Sequence, residues 1–125
     1  MGILRCSVHG HESFFLACTH VREAREHDQP LAELTRVRVV LLLDDERHVL
    51  SSNLYCKDCA KTSHFANAPP VIESGEEFDR IASGDLRIAE CARCIGEWAE
   101  RHRATFVELE IAHVVRDESS RPRPT

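Results

Sequence analysis

Asn53-Leu54-Tyr55-Cys56-Lys57-Asp58-Cys59 is an apolar run that ends in two cysteines three positions apart, and the reading of the whole chain turns on it. Leu86-Arg87-Ile88-Ala89-Glu90 leads in the same way into Cys91-x2-Cys94, and Phe14-Phe15-Leu16-Ala17 leads into Cys18-x-His20. A fourth pair, Cys6-x2-His9, opens the sequence, and the four pairs together use all six cysteines. Two ligands one or two residues apart can hold one tetrahedral ion from a tight turn, so four pairs supply two closed sites. Zn2+, two ions per chain, is the expected metal, with Cys6, His9, Cys18, His20, Cys56, Cys59, Cys91 and Cys94 as ligands.

The competing use of an even cysteine count is a disulfide framework. It fits poorly, because no secretory leader pattern precedes Cys6 and because C-x2-C seldom closes a structural disulfide but readily forms a zinc knuckle. A thioredoxin-like role is weaker, since no βαβ pattern flanks Cys56-Lys57-Asp58-Cys59 or Cys91-Ala92-Arg93-Cys94. The 125 residues suit one domain whose core is not generous, so metal cross-links should matter to stability. Residues 1–116 are expected to form that domain and 117–125, with two prolines and two serines, a disordered tail. The longest apolar run, Val39 to Leu43, is far short of the roughly 20 residues that span a bilayer, so no membrane association and a cytoplasmic location are expected. Gly2 is not followed by the Ser or Thr at position 6 that myristoylation requires.

Sixteen basic residues face 21 acidic ones, a formal charge of −5, and the basic residues are scattered. A phosphate-tracking surface needs a positive stripe, so a nucleic-acid partner is disfavoured and a protein partner expected. Arg93, Arg101 and Arg103 alternate with Glu97, Glu100, Glu108 and Glu110, the pattern of a solvated face.

The fold class expected is α+β: a small zinc-organised domain with a short antiparallel sheet, knuckles and a C-terminal helix. Leu34 to Leu43 reads as the longest strand and His48-Val49-Leu50 as its hairpin return; Arg22 to Pro30 reads as a polar loop or frayed helical turn. Asn67, Pro69 and Pro70 break the chain before a short helix that begins at the capping box Ser74 to Glu77, buries Phe78, Ile81 and Ala82, and ends at Gly84. A second helix opens near Cys91, with Ile95, Trp98, His102, Phe106 and Leu109 as its apolar stripe. Val107, Leu109 and Ile111 alternate as a strand would, so its far end is open.

A knuckle followed at a distance by C-x2-C on the first turn of a helix is the arrangement called a treble clef. The helix N-terminus offers free N–H groups and a positive dipole end to thiolate. Cys56 and Cys59 suit the knuckle, Cys91 and Cys94 the helix. Sequential pairing would group Cys6, His9, Cys18 and His20 against Cys56, Cys59, Cys91 and Cys94. Interleaved pairing would group Cys6 and His9 with Cys56 and Cys59, and Cys18 and His20 with Cys91 and Cys94.

The order of pairs resembles the cross-brace of RING domains, but 35 residues separate His20 from Cys56 where RING domains have only a few, so ligase activity is not carried over. The run Arg5-Cys6-Ser7-Val8-His9-Gly10-His11, then Phe15 to His20, Tyr55 to Cys59 and Cys91 to Cys94, is similar to a group of small bacterial zinc-binding proteins of uncharacterised function. That similarity implies zinc binding and no particular activity.

His11 and His64 are reserve ligands, His102 reads as a hydrogen-bonded core edge, and His27, His48 and His113 carry no signal. Asp44, Asp45 and Glu46 could hold magnesium, yet they occupy an expected turn with no base or nucleophile beside them. No catalytic residue is expected. The function read from the sequence is a zinc-stabilised interaction module; the alternatives are a zinc-thiolate redox switch and, less favoured, a nucleic-acid-binding zinc finger.

Overall fold

The computed structural model describes residues 3–44, 46–84 and 87–115; Gly2, Asp45, Leu86 and the expected tail 117–125 lie outside the described residues. The chain starts with an antiparallel ribbon, β1 (Leu4–Cys6) and β2 (Gly10–Glu12), whose turn carries Cys6-x2-His9. Gly10 leaves that turn at φ 73°, a conformation that costs a residue with a Cβ. β3 (Phe14–Ala17) follows and runs through Cys18 into α1 (Thr19–Glu26). Of the two readings of Arg22 to Pro30, polar loop or helical turn, the helical one therefore holds as far as Glu26. Val21 and Ala24, three apart, bury one face, too short a stripe to stand out in a charged segment.

β4 (Glu33–Leu43) and β5 (Glu46–Cys56) form the long hairpin, ten register pairs deep. Its turn residue Asp44 sits at φ 47°, a left-handed position that aspartate tolerates without glycine. The return strand does not stop at Leu50. A register shift opposite Val39/Val40 accommodates it, and β5 continues unbroken to Cys56. α2 (Lys57–Thr62) then starts directly, and Asn67 Nδ2 donates to the carbonyls of Ala60, Lys61 and Ser63 at its end. After β6 (Val71–Ile72) comes α3 (Gly75–Gly84), where Ser74 Oγ accepts from Glu77 N–H as the capping pattern predicts. β7 (Ile88–Cys91) delivers α4 (Ala92–Arg101), and the chain ends its described part in β8 (Thr105–Val115). The apolar stripe expected to run on through Phe106 and Leu109 thus breaks at His102. Arg103 turns at φ 54°, and Phe106 and Leu109 belong to the strand whose alternation the sequence shows.

The α+β class holds, with a mixed sheet in place of a purely antiparallel one: six strands in the order β6-β8-β4-β5-β3-β7. β4–β5 and β3–β7 are antiparallel; β3–β5, β4–β8 and β6–β8 are parallel. Both faces are covered at the centre. Leu34 and Leu54 lie on one face, Val37, Val39, Asn53 and Tyr55 on the other, and all are buried. Asn53 is paid for inside this core: Nδ2 donates to the Val37 carbonyl and Ser51 Oγ, and Arg87 donates to Oδ1.

Trp98, 1% exposed, anchors α4, and its Nε1 donates to the Gln29 carbonyl at 2.8 Å. Trp98→Ala should cost about 3–5 kcal/mol through lost burial and an orphaned carbonyl, read as a lower urea midpoint at unchanged slope. A cost below about 1 kcal/mol would show that α4 is not part of the cooperative core.

Candidate metal centres

Every ligand pair except the first sits where a strand turns into a helix. Cys18, Cys56 and Cys91 occupy the capping positions ahead of α1, α2 and α4. The sulfurs of Cys56 and Cys91 accept from the N–H of Cys59 and Cys94 at 3.4 and 3.5 Å, so each C-x2-C pair is bent by its own helix start. Cys18 is held from the side: its N–H donates to the Leu54 carbonyl, and its sulfur accepts from Cys56 N–H at 3.3 Å.

The strand ladder determines which pairs meet. β5 runs parallel to β3, with Ala17 opposite Leu54, so both strands end on the same side and Cys56 arrives beside Cys18. β7 runs antiparallel to β3, with Cys91 opposite Phe14, and the Ala92 N–H donates to the Ser13 carbonyl. Cys91 therefore arrives at the beginning of β3, next to the ribbon that carries Cys6 and His9. Two clusters result, Cys6/His9/Cys91/Cys94 and Cys18/His20/Cys56/Cys59, each with its four ligand atoms within 4.8 Å of one another.

This arrangement is nested, first pair with fourth and second with third. Neither sequential nor interleaved pairing is what forms, although all eight expected residues are used. Cys56 and Cys59 accordingly open a helix, while the loop that faces Cys91 and Cys94 is the Cys6-x2-His9 turn. His11, exposed on β2, and His64 stand outside both clusters.

In the first centre His9 Nδ1 lies 3.3 Å from Cys94 Sγ, 3.7 Å from Cys91 Sγ and 3.8 Å from Cys6 Sγ. Its Nε2 meets Glu97 Oε1 at 3.0 Å. A carboxylate on the far nitrogen fixes which nitrogen points inward, the usual brace of a metal-binding imidazole. The charge pattern puts Glu97 on a solvated face; its position three residues after Cys94, on the same side of α4, is the signal in the sequence that links it to the centre. Arg93 bridges Glu12 of β2 and Glu97, tying the ribbon to the helix. In the second centre His20 Nδ1 lies 3.1 Å from Cys59 Sγ and 3.6 Å from Cys56 Sγ. A cavity of 220 Å3 borders it, lined by Cys18, Cys59, Tyr55, Thr62 and Ser63 among others.

Two of the remaining histidines, His102 and His113, take structural roles. His102 Nε2 meets Asp28 Oδ1 at 2.9 Å and its ring lies edge-on to Trp98, as expected of a core edge. His113, which carries no sequence signal, is buried, bonded through Nδ1 to the Ile72 carbonyl and stacked on Phe78.

The electrostatics of the clusters favour a cation. Burial, and then the neighbouring thiols Cys56 and Cys18, push Cys59 up to about 12. Burial, then Cys6 and Cys91, do the same to Cys94, also to about 12. Burial raises Cys18. Cys6 goes the other way, down to about 6, because the backbone N–H groups of His9 and Val8 point at its sulfur. Contact with the Cys6 thiol, then with the Glu97 carboxylate, raises His9. Adjacent sulfurs resist ionising together, and a divalent cation at their centre would reverse that.

No family model matches the chain, and no curated protein or solved structure matches it.

The nested geometry makes a pairwise prediction. Cys18→Ser with Cys59→Ser should remove one metal equivalent and leave the other, as should Cys6→Ser with Cys94→Ser; Cys6→Ser with Cys18→Ser should disturb both centres. Metal content of purified variants checks this, and loss of both equivalents from Cys18/Cys59 alone, with circular dichroism intact, would contradict it.

Protons held on Cys59 and Cys94 up to about 12 must leave when metal enters, so affinity should rise with pH by about one decade per unit for each proton displaced. Cobalt titrations followed by thiolate charge-transfer absorption between pH 6 and 8.5 measure the slope. A flat profile would mean that the thiols are not the ligands.

Proposed function

We propose that the chain is a zinc-binding structural module with two closed sites, and that its role is to present a rigid surface to a protein partner. The observation that carries this reading is the gathering of all eight Cys and His ligands into two complete sets of four. Three sulfurs and one imidazole suit Zn2+ among the common divalent ions, and they give each centre a formal charge of −1. Cys6, His9, Cys91 and Cys94 would hold one ion between a turn and a helix start, in the manner of a treble clef. Cys18, His20, Cys56 and Cys59 would hold the second between two helix starts. Bound zinc would supply cross-linking energy, because binding to such a site is folding free energy.

Full protein coordination leaves no open position of the kind catalytic zinc uses, which supports a non-enzymatic role. The net charge of −5 supports a protein over a nucleic-acid partner. Among the described residues no helix is long and apolar enough to cross a membrane. The redox-switch reading draws on the cavity that reaches Cys18 and Cys59.

Elemental analysis and a peroxide titration test these readings together. The expected result is about two zinc ions per chain, four ligands to each, retained under mild peroxide, with no hydrolase or deaminase turnover. Less than about one ion per chain would overturn the two-site module. Stoichiometric zinc release with reversible disulfide formation at low oxidant would replace it with the redox switch.

A further inference from the structure

The outer edge of β8 is an unfinished part of the fold. β4 covers one side of this strand along its whole length, but β6 covers the other only at Ala112 and His113. Among the described residues no strand pairs with the outer side between Thr105 and Ile111. Thr105 N–H donates inward to the Ala32 carbonyl and Ala112 N–H outward to the Pro70 carbonyl. Strand alternation therefore turns the N–H and C=O groups of Phe106, Glu108 and Glu110 outward. The same stretch exposes three large apolar side chains, Phe106 at 37%, Val107 at 42% and Leu109 at 38%. An open edge with apolar side chains is a template for another strand, and soluble proteins commonly blunt or cover such edges.

We propose that Thr105–Leu109 of β8 pairs antiparallel with the same segment of a second copy of the chain, about a two-fold axis at Val107. The backbone allows this register, and charge favours it over those that follow along the strand. With Val107 opposite its own copy, Phe106 and Glu108 become the hydrogen-bonded pair on each side, and these are residues whose backbone groups face outward. Val107 then meets Val107, and Leu109 meets Thr105, on one face of the joined sheet.

On the other face Glu108 comes opposite Phe106 of the second copy. Arg36 lies 5.2 Å from the Phe106 ring centre and holds Glu108 of its own chain through Nε at 2.9 Å. Each Glu108 would therefore face a second Arg36, and each Arg36 a second carboxylate, so the charge pattern is complementary to itself. The next registers along the strand, centred on Glu108 and on Leu109, set Glu108 against its own copy or against Glu110 and bring like charges together. Five paired residues also end short of Ala112, where β6 begins. An interface that maps residue i onto j and j onto i is the isologous contact of a two-fold dimer.

Sedimentation of the metal-replete chain between about 1 and about 300 μM tests the proposal by mass action. The expected mass rises from 14.2 kDa toward twice that value. Val107→Lys, which places two ammonium groups face to face at the axis, should weaken association by about a hundredfold or more. Leu50→Lys, at an exposed position of β5, should not. Hydrogen exchange on the unmodified chain gives a reading that needs no variant: the amides of Phe106 and Glu108 should gain protection as concentration rises. A chain that stays monomeric throughout, or a dimer whose Phe106 and Glu108 amides exchange as in the dilute protein, would overturn the proposal.

Discussion

The pairing of β3 with two strands of opposite direction is the constraint on which the rest of the site architecture depends. Phe14 to Ala17 is only four residues long, yet it is parallel to β5 and antiparallel to β7. A parallel neighbour brings its end to the end of β3, and an antiparallel neighbour brings its end to the beginning. Two strand–cysteine–helix units of the same design are thereby sent to opposite ends of one strand, with Phe14 and Cys18 roughly 13 Å apart along the chain. Reversing either neighbour would put three ligand pairs at one end and leave the fourth alone.

Loop closure does not choose the pairing. The second centre joins pairs whose residues lie 36 to 41 positions apart, while the first joins residues as far as 88 apart. A doubling of loop length costs only about 0.6 kcal/mol in closure entropy, which is small beside the burial at the β4–β5 hairpin. The nesting does order the contacts. Cys18 meets Cys56 through the hairpin and its parallel neighbour β3, whereas the chain between Cys6 and Cys94 also contains α3, β7 and the start of α4. The outer centre is the one that depends on nearly the whole chain.

What the sequence makes legible follows from how local each signal is. Ligand identity is local: a cysteine or histidine within two residues of another is visible as a pair, and all eight appear in the clusters. The capping box at Ser74 and the opening of α4 at Cys91 are local too. Pairing is not, because parallel and antiparallel ladders demand the same alternation of side chains and differ only in chain direction. The extent of α1 escapes for another reason: Cys18 is at once strand end, helix start and candidate metal ligand, so the capping position itself lacks the Ser, Thr, Asp or Asn that usually announces a helix. Glu97 escapes because an exposed carboxylate on a charged helix is ordinary until the histidine it touches, 88 residues earlier, is placed beside it.

A cysteine at a helix start does two jobs that normally fall to different residues. As a cap, its sulfur receives a backbone N–H that would otherwise lack a partner, as Cys56 and Cys91 do from Cys59 and Cys94. As a ligand, the same sulfur benefits from that N–H when it carries negative charge. The capping role is met by the fold itself, but the ligand role is not, because burial and neighbouring sulfurs hold Cys59 and Cys94 far above the ordinary thiol range. The fold supplies position and hydrogen bonds but not the compensating charge, and among the shifted thiols Cys6 is the one drawn down, to about 6, by the N–H groups of His9 and Val8. The first centre thus sets Cys6, drawn toward ionisation by backbone N–H groups, beside Cys94, held back from it by burial and its neighbours, and a cation between the β1–β2 ribbon and α4 would favour the ionised form of both.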